Sequence, residues 1–255
     1  MYEQKAFTLI ELLVVIAIIG LLMAILVPGL AAARRYAKTV ACQANLRQWG
    51  IVLDTYTNDN DNRFFQGMIE GGWNDWIEVL EPYYGKIGAF RCCPFATKTK
   101  DEGGQGIFAA WKDLEGDYGS YGLSAWVCNA DPGAIFGDEH YWRRPDVQGA
   151  QNIPVFLDSM EMAGWPDDTS VPPLSDGQPP QGITLVEQMK GFCINRHSNG
   201  TINSLFMDWS ARKVGLKELW TLKWHKGFNT AGHWTKAGGI STEDWPKWMK
   251  KFKNY

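Results

Sequence analysis

This chain lacks the short signatures that mark common enzyme classes. It contains no G-x-S-x-G nucleophile elbow, no Walker phosphate loop and no H-E-x-x-H helix. Serine hydrolase, P-loop nucleotidase and zincin chemistry are therefore excluded in their usual forms. Basic excess is absent too: 25 Lys and Arg face 28 Asp and Glu, for a net charge of −3. That balance argues against a nucleic-acid binder, which normally carries a basic face. No C-x-x-C pair or Cys/His set at zinc spacing occurs, so spacing alone predicts no metal. No repeat is visible, and low complexity is confined to a Pro-rich loop from Trp165 to Pro180. The most informative absence is charge between Leu12 and Ala33, 22 residues without one ionisable side chain. About 20 apolar residues, each rising ~1.5 Å, suffice to cross a ~30 Å hydrocarbon layer as a helix.

One acid, Glu11, stands at the head of this run. A carboxylate at membrane depth costs several kcal/mol unless it is neutralised, snorkelled or paired, so its position calls for a function. Lys5-Ala6-Phe7-Thr8-Leu9-Ile10-Glu11 and the apolar run that follows resemble the N-terminus of type IV pilins and type II secretion pseudopilins. The resemblance implies a leader ending at Ala6, where the family usually has Gly, and cleavage by a prepilin peptidase before Phe7, which becomes the methylated N-terminus. Glu11 is then the fifth mature residue, and Gly20 and Pro28 stand where the family carries a helix-breaking pair. The implied partners are other filament subunits, the peptidase, the membrane and the inner-membrane assembly machinery. The implied location is a single pass through the cytoplasmic membrane, with the body outside the cytoplasm.

The physical logic can be rebuilt from these residues. Cleavage exposes the α-amine of Phe7, and Glu11 of an adjacent subunit supplies the compensating carboxylate only in the correct axial register, so the acid acts as a registry device. Pro28 removes a backbone donor and Gly29 adds freedom, which favours local unwinding. Two plainer readings compete. One is a single-span anchor; the other is a signal peptide cut near Ala31-Ala32-Ala33, although its basic n-region is thin and the apolar run exceeds the usual core of about 7–15 residues. Arg34, Arg35 and Lys38 follow the span while Lys5 stands nearly alone before it. The positive-inside bias thus opposes the exported body that the resemblance implies.

Beyond the span, Cys42, Leu46, Trp49, Leu53 and Tyr56 recur at steps of four and three, which predicts one helix face lying on a body. Asn58-Asp59-Asn60-Asp61-Asn62 ends the helix. Its alternating acids and amides raise calcium as a cofactor, but the Gly and distal Glu of an EF-hand loop are missing. The expected organisation is leader 1–6, helix 7–58 with its span at about 12–33, and an exported domain 59–255 of α+β class with a small antiparallel sheet. Within it, Trp73, Trp76, Ile77 and Leu80 predict a short helix stopped by Pro82. Strands are expected at Tyr121–Cys128, Ile153–Leu157, Phe192–Asn195, Thr201–Met207 and Ala211–Val214, with turns at Asn199-Gly200 and Asp208-Trp209-Ser210. An amphipathic helix is expected at Leu216–His225.

Arg196-His197 leading through Leu205-Phe206-Met207 to Asp208 resembles the prepilin-associated motif of a His, about nine residues, and Asp-Gly. Here ten residues intervene and Trp209 replaces the Gly. His197 and Asp208 could share an ion or proton, or simply close a turn and cap a hairpin. Asp113 with Glu115, and Asp158 with Glu161, are carboxylate pairs of the kind that arises readily by chance. In an exported body, the five cysteines Cys42, Cys92, Cys93, Cys128 and Cys193 are expected to supply two disulfides, with buried thiols as the alternative. Thirteen tryptophans are a heavy load. They either pack the body and subunit contacts or form an exposed platform for polysaccharide, which would make the chain an adhesin-like glycan binder.

Overall fold

A computed structural model describes residues 9–69, 72–73, 76–85, 90–113, 115–134, 136–182 and 184–255. Its dominant element is helix α1, Leu9–Asp59, continuous over 51 residues. The chain divides between Lys38 and Thr39 into two units. The first is the apolar half of α1. The second comprises the rest of α1 and everything after it.

In the second unit Cys42, Leu46, Trp49 and Leu53 are completely buried; of Gln43, Arg47, Gln48 and Asp54, which the spacing places on the opposite side, the last three are exposed but Gln43 is half-buried against the sheet. The helix stops where Asp61 and Asn62 adopt positive φ, a conformation that these short polar residues tolerate. Ten strands follow among the described residues: β1 Met68–Ile69, β2 Gly72–Trp73, β3 Lys98–Thr99, β4 Ala109–Lys112, β5 Tyr118–Gly119, β6 Tyr121–Ser124, β7 Pro154–Asp158, β8 Ala163–Gly164, β9 Thr201–Phe206 and β10 Ala211–Gly215. Five of them build the central sheet in the order β10-β9-β7-β6-β8, antiparallel except where β6 meets β8. The α+β class therefore holds. Helix α2, Trp76–Tyr84, and a single turn α3, Leu185–Gln188, complete the regular helices among the described residues.

The register of β7 and β9 decides what α1 meets. Side chains alternate faces along a strand, so Phe156 and Asp158 share one face of β7, and Asn203 and Leu205 share one face of β9. That face receives the second half of α1: Trp49 packs 5.1 Å from Phe156 between ring centroids, and Gln43 donates to Asn203 Oδ1 at 3.0 Å. Gly50 allows the approach, since a Cβ there would lie 3.2 Å from Leu205 Cδ1. An apolar patch and a polar patch thus sit side by side under one helix.

Several local expectations are corrected. Pro82 lies inside α2, which continues to Tyr84; the proline withholds its bond from the Glu78 carbonyl without stopping the next turn. Trp73 belongs to β2 instead of the helix. The strand from Tyr121 ends at Ser124, and residues 125–128 turn. Phe192–Asn195 is not a strand: Phe192 is in the right-handed helical region and Cys193 N–H donates to Met189 O at 2.9 Å. Leu216–Thr221 is a 3-10 helix, not an α-helix reaching His225. Both segments hold mostly buried side chains, Phe192, Cys193 and Ile194 in the first and Leu216, Leu219, Trp220, Leu222 and Trp224 in the second, and apolar spacing over so few residues does not fix the type of element. The hairpin β9–β10 has its expected turn, with Trp209 at φ 63°.

Candidate functional site

Two regions carry the functional signal. The first is the apolar half of α1. All sixteen large apolar side chains from Leu9 to Leu30 are exposed, with no polar stripe between them. Each would contribute about 1.5–3 kcal/mol if fully buried, so tens of kcal/mol of transfer free energy are left unused. The segment is long and apolar enough to cross a membrane. A helix that is apolar all round belongs in lipid or among similar helices. Glu11 lies in its first turn, and α1 runs unbroken through Gly20, Pro28 and Gly29. Nothing approaches within 4 Å of the Cβ position at either glycine, so neighbouring helices could pack closely there. Ala6 and Phe7 lie outside the described residues.

The second region is a buried polar centre under α1. His197 Nε2 lies 2.9 Å from Asp158 Oδ2, and both side chains are fully shielded. Cys93 Sγ is 3.4 Å from the same nitrogen. Cys42 Sγ lies 3.7 and 3.8 Å from the two Asp158 oxygens and receives the Tyr121 hydroxyl at 3.2 Å. Arg196, side chain also fully shielded, donates to the carbonyls of Ile107 at 2.7 Å, Ser120 at 2.6 Å and Ser159 at 2.9 Å, and faces Asp158 Oδ1 at 3.5 Å. The Asn203 backbone N–H donates to Asp158 Oδ2 at 2.8 Å.

Burial opposes ionisation of both His197 and Asp158, yet the facing charges win. Asp158 is held down at about 2 by His197, Arg196 and the Asn203 N–H, and His197 is raised to about 9 by Asp158. Burial pushes the Cys93 thiol well up. The same burial opposes the Cys42 thiolate, but hydrogen bonds from Cys93 and His197 bring its pKa down overall.

The motif residues part company. His197 enters the buried centre, whereas Asp208 is exposed and caps the hairpin turn, accepting from Ser210 N at 3.0 Å and Ser210 Oγ at 2.6 Å. The acid that meets His197 is Asp158, supplied by β7. Trp209, in the place of the motif's glycine, donates from Nε1 to Asp54 of α1 at 2.9 Å. The two expected disulfides are absent: all five cysteines are buried free thiols. Cys42 and Cys93 meet, whereas Cys128 lies beside Gly67 and adjoins an apolar cavity lined by Phe65 and Trp165. Sequence spacing showed no metal-ligating set, but the fold brings together two groups whose atoms could hold a metal ion, Cys42, Cys93, Asp158 and His197 in this centre and Asp167, Asp168 and His225 elsewhere. Sequence reasoning passed over Thr39, Tyr121 and Asn203. Polar residues set between apolar ones in a strand, such as Asn203 and Ser204 between Ile202 and Leu205 in TINSLF, were the signal available.

Among the described residues no exposed platform of tryptophans is formed. Of the twelve tryptophans whose side chains are described, nine are buried and three half-buried; none is exposed. An open cleft of about 720 Å³ does exist, lined by Lys100, Trp111, Lys112, Asp113, Glu115 and Glu161 among others. Its Trp111 is buried, with Nε1 donating to Tyr121 O at 3.0 Å. Asp113 Oδ1 accepts from the N–H groups of Glu115 and Gly116 at 3.0 and 2.8 Å, which is a turn contact, and Asp158 lies in the polar centre while Glu161 lines the cleft.

Comparison with known proteins bears on the first region. Residues 1–27 match the family described as the prokaryotic N-terminal methylation motif. The N-terminal region is similar to the Type IV wide pilus major component PilA4 of Thermus thermophilus, 45% identical over 62 residues. That match covers 24% of this chain and 47% of the relative, so the chain spans about half the length of the curated relative it matches. No solved structure matches significantly.

Proposed function

We propose that this chain, which carries a prokaryotic N-terminal methylation motif, is a type IV pilin-like structural subunit that polymerises through the apolar half of α1. The observation that carries the reading is the sheath of exposed apolar side chains from Leu9 to Leu30, most of which lies within the matched motif. In the membrane the segment is a single-pass anchor, with the body outside the cytoplasm. In the filament the same side chains pack against those of neighbouring subunits, so the hydrophobic term changes partner without being lost. A prepilin peptidase removes the leader after Ala6 and Phe7 is methylated. The Glu11 carboxylate of one subunit then meets the α-amine of the next and sets the axial register. A single proline withholds the helical donor from the Ala24 carbonyl, leaving a weak point near Pro28 at which the helix can extend during assembly. Both the long pilus and the secretion pseudopilus use this arrangement.

The test is Glu11→Ala, assayed by sedimentation and electron microscopy of surface filaments. The expected result is a folded, membrane-inserted subunit that no longer enters filaments. Wild-type incorporation of Glu11→Ala would remove the registry role.

A further inference from the structure

Four side chains distant in sequence converge in the buried centre, and each offers one metal-ligating atom. Cys42 comes from α1, Cys93 from the loop before β3, Asp158 from the end of β7 and His197 from the turn before β9. Their ligand atoms lie within 4.8 Å of one another, and all four residues are buried. We propose that this set binds one zinc ion as a closed site of two thiolates, one imidazole and one carboxylate, fastening the second half of α1 to the sheet.

The spacing of the donors suits the ion. Tetrahedral zinc, with Zn–N and Zn–O bonds of about 2.0–2.2 Å and Zn–S bonds of about 2.3 Å, requires donor separations of roughly 3.3–3.8 Å. The structure provides 3.4 Å from Cys93 Sγ to His197 Nε2, and 3.7 and 3.8 Å from Cys42 Sγ to the Asp158 oxygens. The contact from His197 to Asp158, at 2.9 Å, has to open by about half an ångström, and the remaining donor pairs lie within 4.8 Å. The outer contacts are those that orient ligands in zinc sites. Thr39 Oγ1 lies 3.1 Å from His197 Nδ1 and directs Nε2 inward. Tyr121 donates to Cys42 Sγ, and the Asn203 N–H holds Asp158 Oδ2. Asn203 Nδ2, 3.1 Å from Nε2, is also 3.4 Å from the Thr39 carbonyl, which keeps it bonded once the metal takes the nitrogen.

Charge closes as well. A divalent ion with two thiolates and a carboxylate carries one net negative charge, and the buried Arg196 guanidinium beside Asp158 cancels it. None of the four donors lines the cleft or the smaller apolar cavity. Four protein donors and no open position make the site structural, not catalytic. The inference concerns the body alone and stands independently of the filament reading.

The full chain, purified in detergent under reducing conditions and stripped with a chelator, would be titrated with zinc sulfate and separately with cobalt(II) chloride. The expected results are one zinc per chain by elemental mass spectrometry and a cobalt form with the strong visible bands of tetrahedral coordination and a near-ultraviolet thiolate charge-transfer band. Cys93→Ser should lose about half of that charge-transfer intensity, while Cys193→Ser, which changes a buried thiol outside the set, keeps all of it. Stripped wild-type chain that stays folded yet takes up no zinc and shows only the weak spectrum of octahedral cobalt overturns the proposal. Undiminished zinc uptake by a Cys93→Ser/His197→Gln double variant overturns it equally.

Discussion

Replacing Trp49 by alanine tests how firmly the second half of α1 is held. The indole is completely buried, with ring centroids 5.2 Å from Trp76, 5.1 Å from Tyr84, 4.8 Å from Phe90 and 5.1 Å from Phe156. Truncating a buried Trp to Ala costs about 3–5 kcal/mol, and each aromatic pair adds about 0.5–1.5 kcal/mol beyond its area. Four such neighbours put the loss at the upper end, about 5 kcal/mol, against a typical total stability of about 5–15 kcal/mol. Trp49→Phe separates packing from polarity. It keeps an aromatic ring and removes an Nε1–H that has no hydrogen-bond partner among the described residues, a donor whose burial costs about 1–3 kcal/mol. Its net loss should therefore be only about 1–2 kcal/mol. The assay is denaturant unfolding of the detergent-solubilised chain, with hydrogen exchange over residues 39–59 as the local readout. A Trp49→Ala loss below about 1 kcal/mol, or a Phe variant as costly as the Ala variant, would refute the reasoning.

Two further outcomes follow from buried charges. Arg196→Met removes the guanidinium donors to the Ile107, Ser120 and Ser159 carbonyls and the cation beside Asp158, and should cost about 3–5 kcal/mol in denaturant unfolding; Arg196→Lys, which cannot reproduce the fork, should recover only part of this. Asp167, buried 3.0 Å from His225 Nε2, shows a second effect: burial favours its neutral form, but hydrogen bonds from His225 and Thr169 hold its pKa down at about 2. A depressed carboxylate stabilises the fold above its ordinary pKa and loses that contribution as pH falls through the folded value. Asp167→Asn should thus cost about 2 kcal/mol near neutral pH, and the gap from wild type should close between about pH 4 and pH 2. A gap independent of pH would contradict the assignment.

The sequence exposed those parts of the fold that repeat a simple period or carry a local punctuation mark. The steps from Cys42 to Tyr56 fixed the buried face of α1, and Asp208-Trp209-Ser210 marked the hairpin turn. Phe192–Asn195 was misread because a short buried apolar run carries no period that tells strand from helix, and Leu216–His225 because the spacing of Leu216, Leu219, Trp220 and Leu222 shows neither the 3-10 winding nor the end at Thr221. The polar centre was invisible for a different reason. Metal and acid–base sets are recognised in sequence by close spacing, whereas here the four residues stand at 42, 93, 158 and 197, on a helix, a loop, a strand end and a turn, and meet only in the folded body. Asp158 was weighed against Glu161, its neighbour in sequence, when its neighbours in space are His197 and Arg196. The tryptophan count showed that aromatic packing was heavy but could not show which way the rings faced.

The central claim is that the apolar half of α1 is a processed assembly segment. Mass spectrometry of the mature N-terminus, on protein recovered from the membrane and from filaments, tests it most directly. The account predicts a chain beginning at N-methylated Phe7 in both fractions. A chain beginning near Arg34, with the apolar segment removed as a signal peptide, would contradict it.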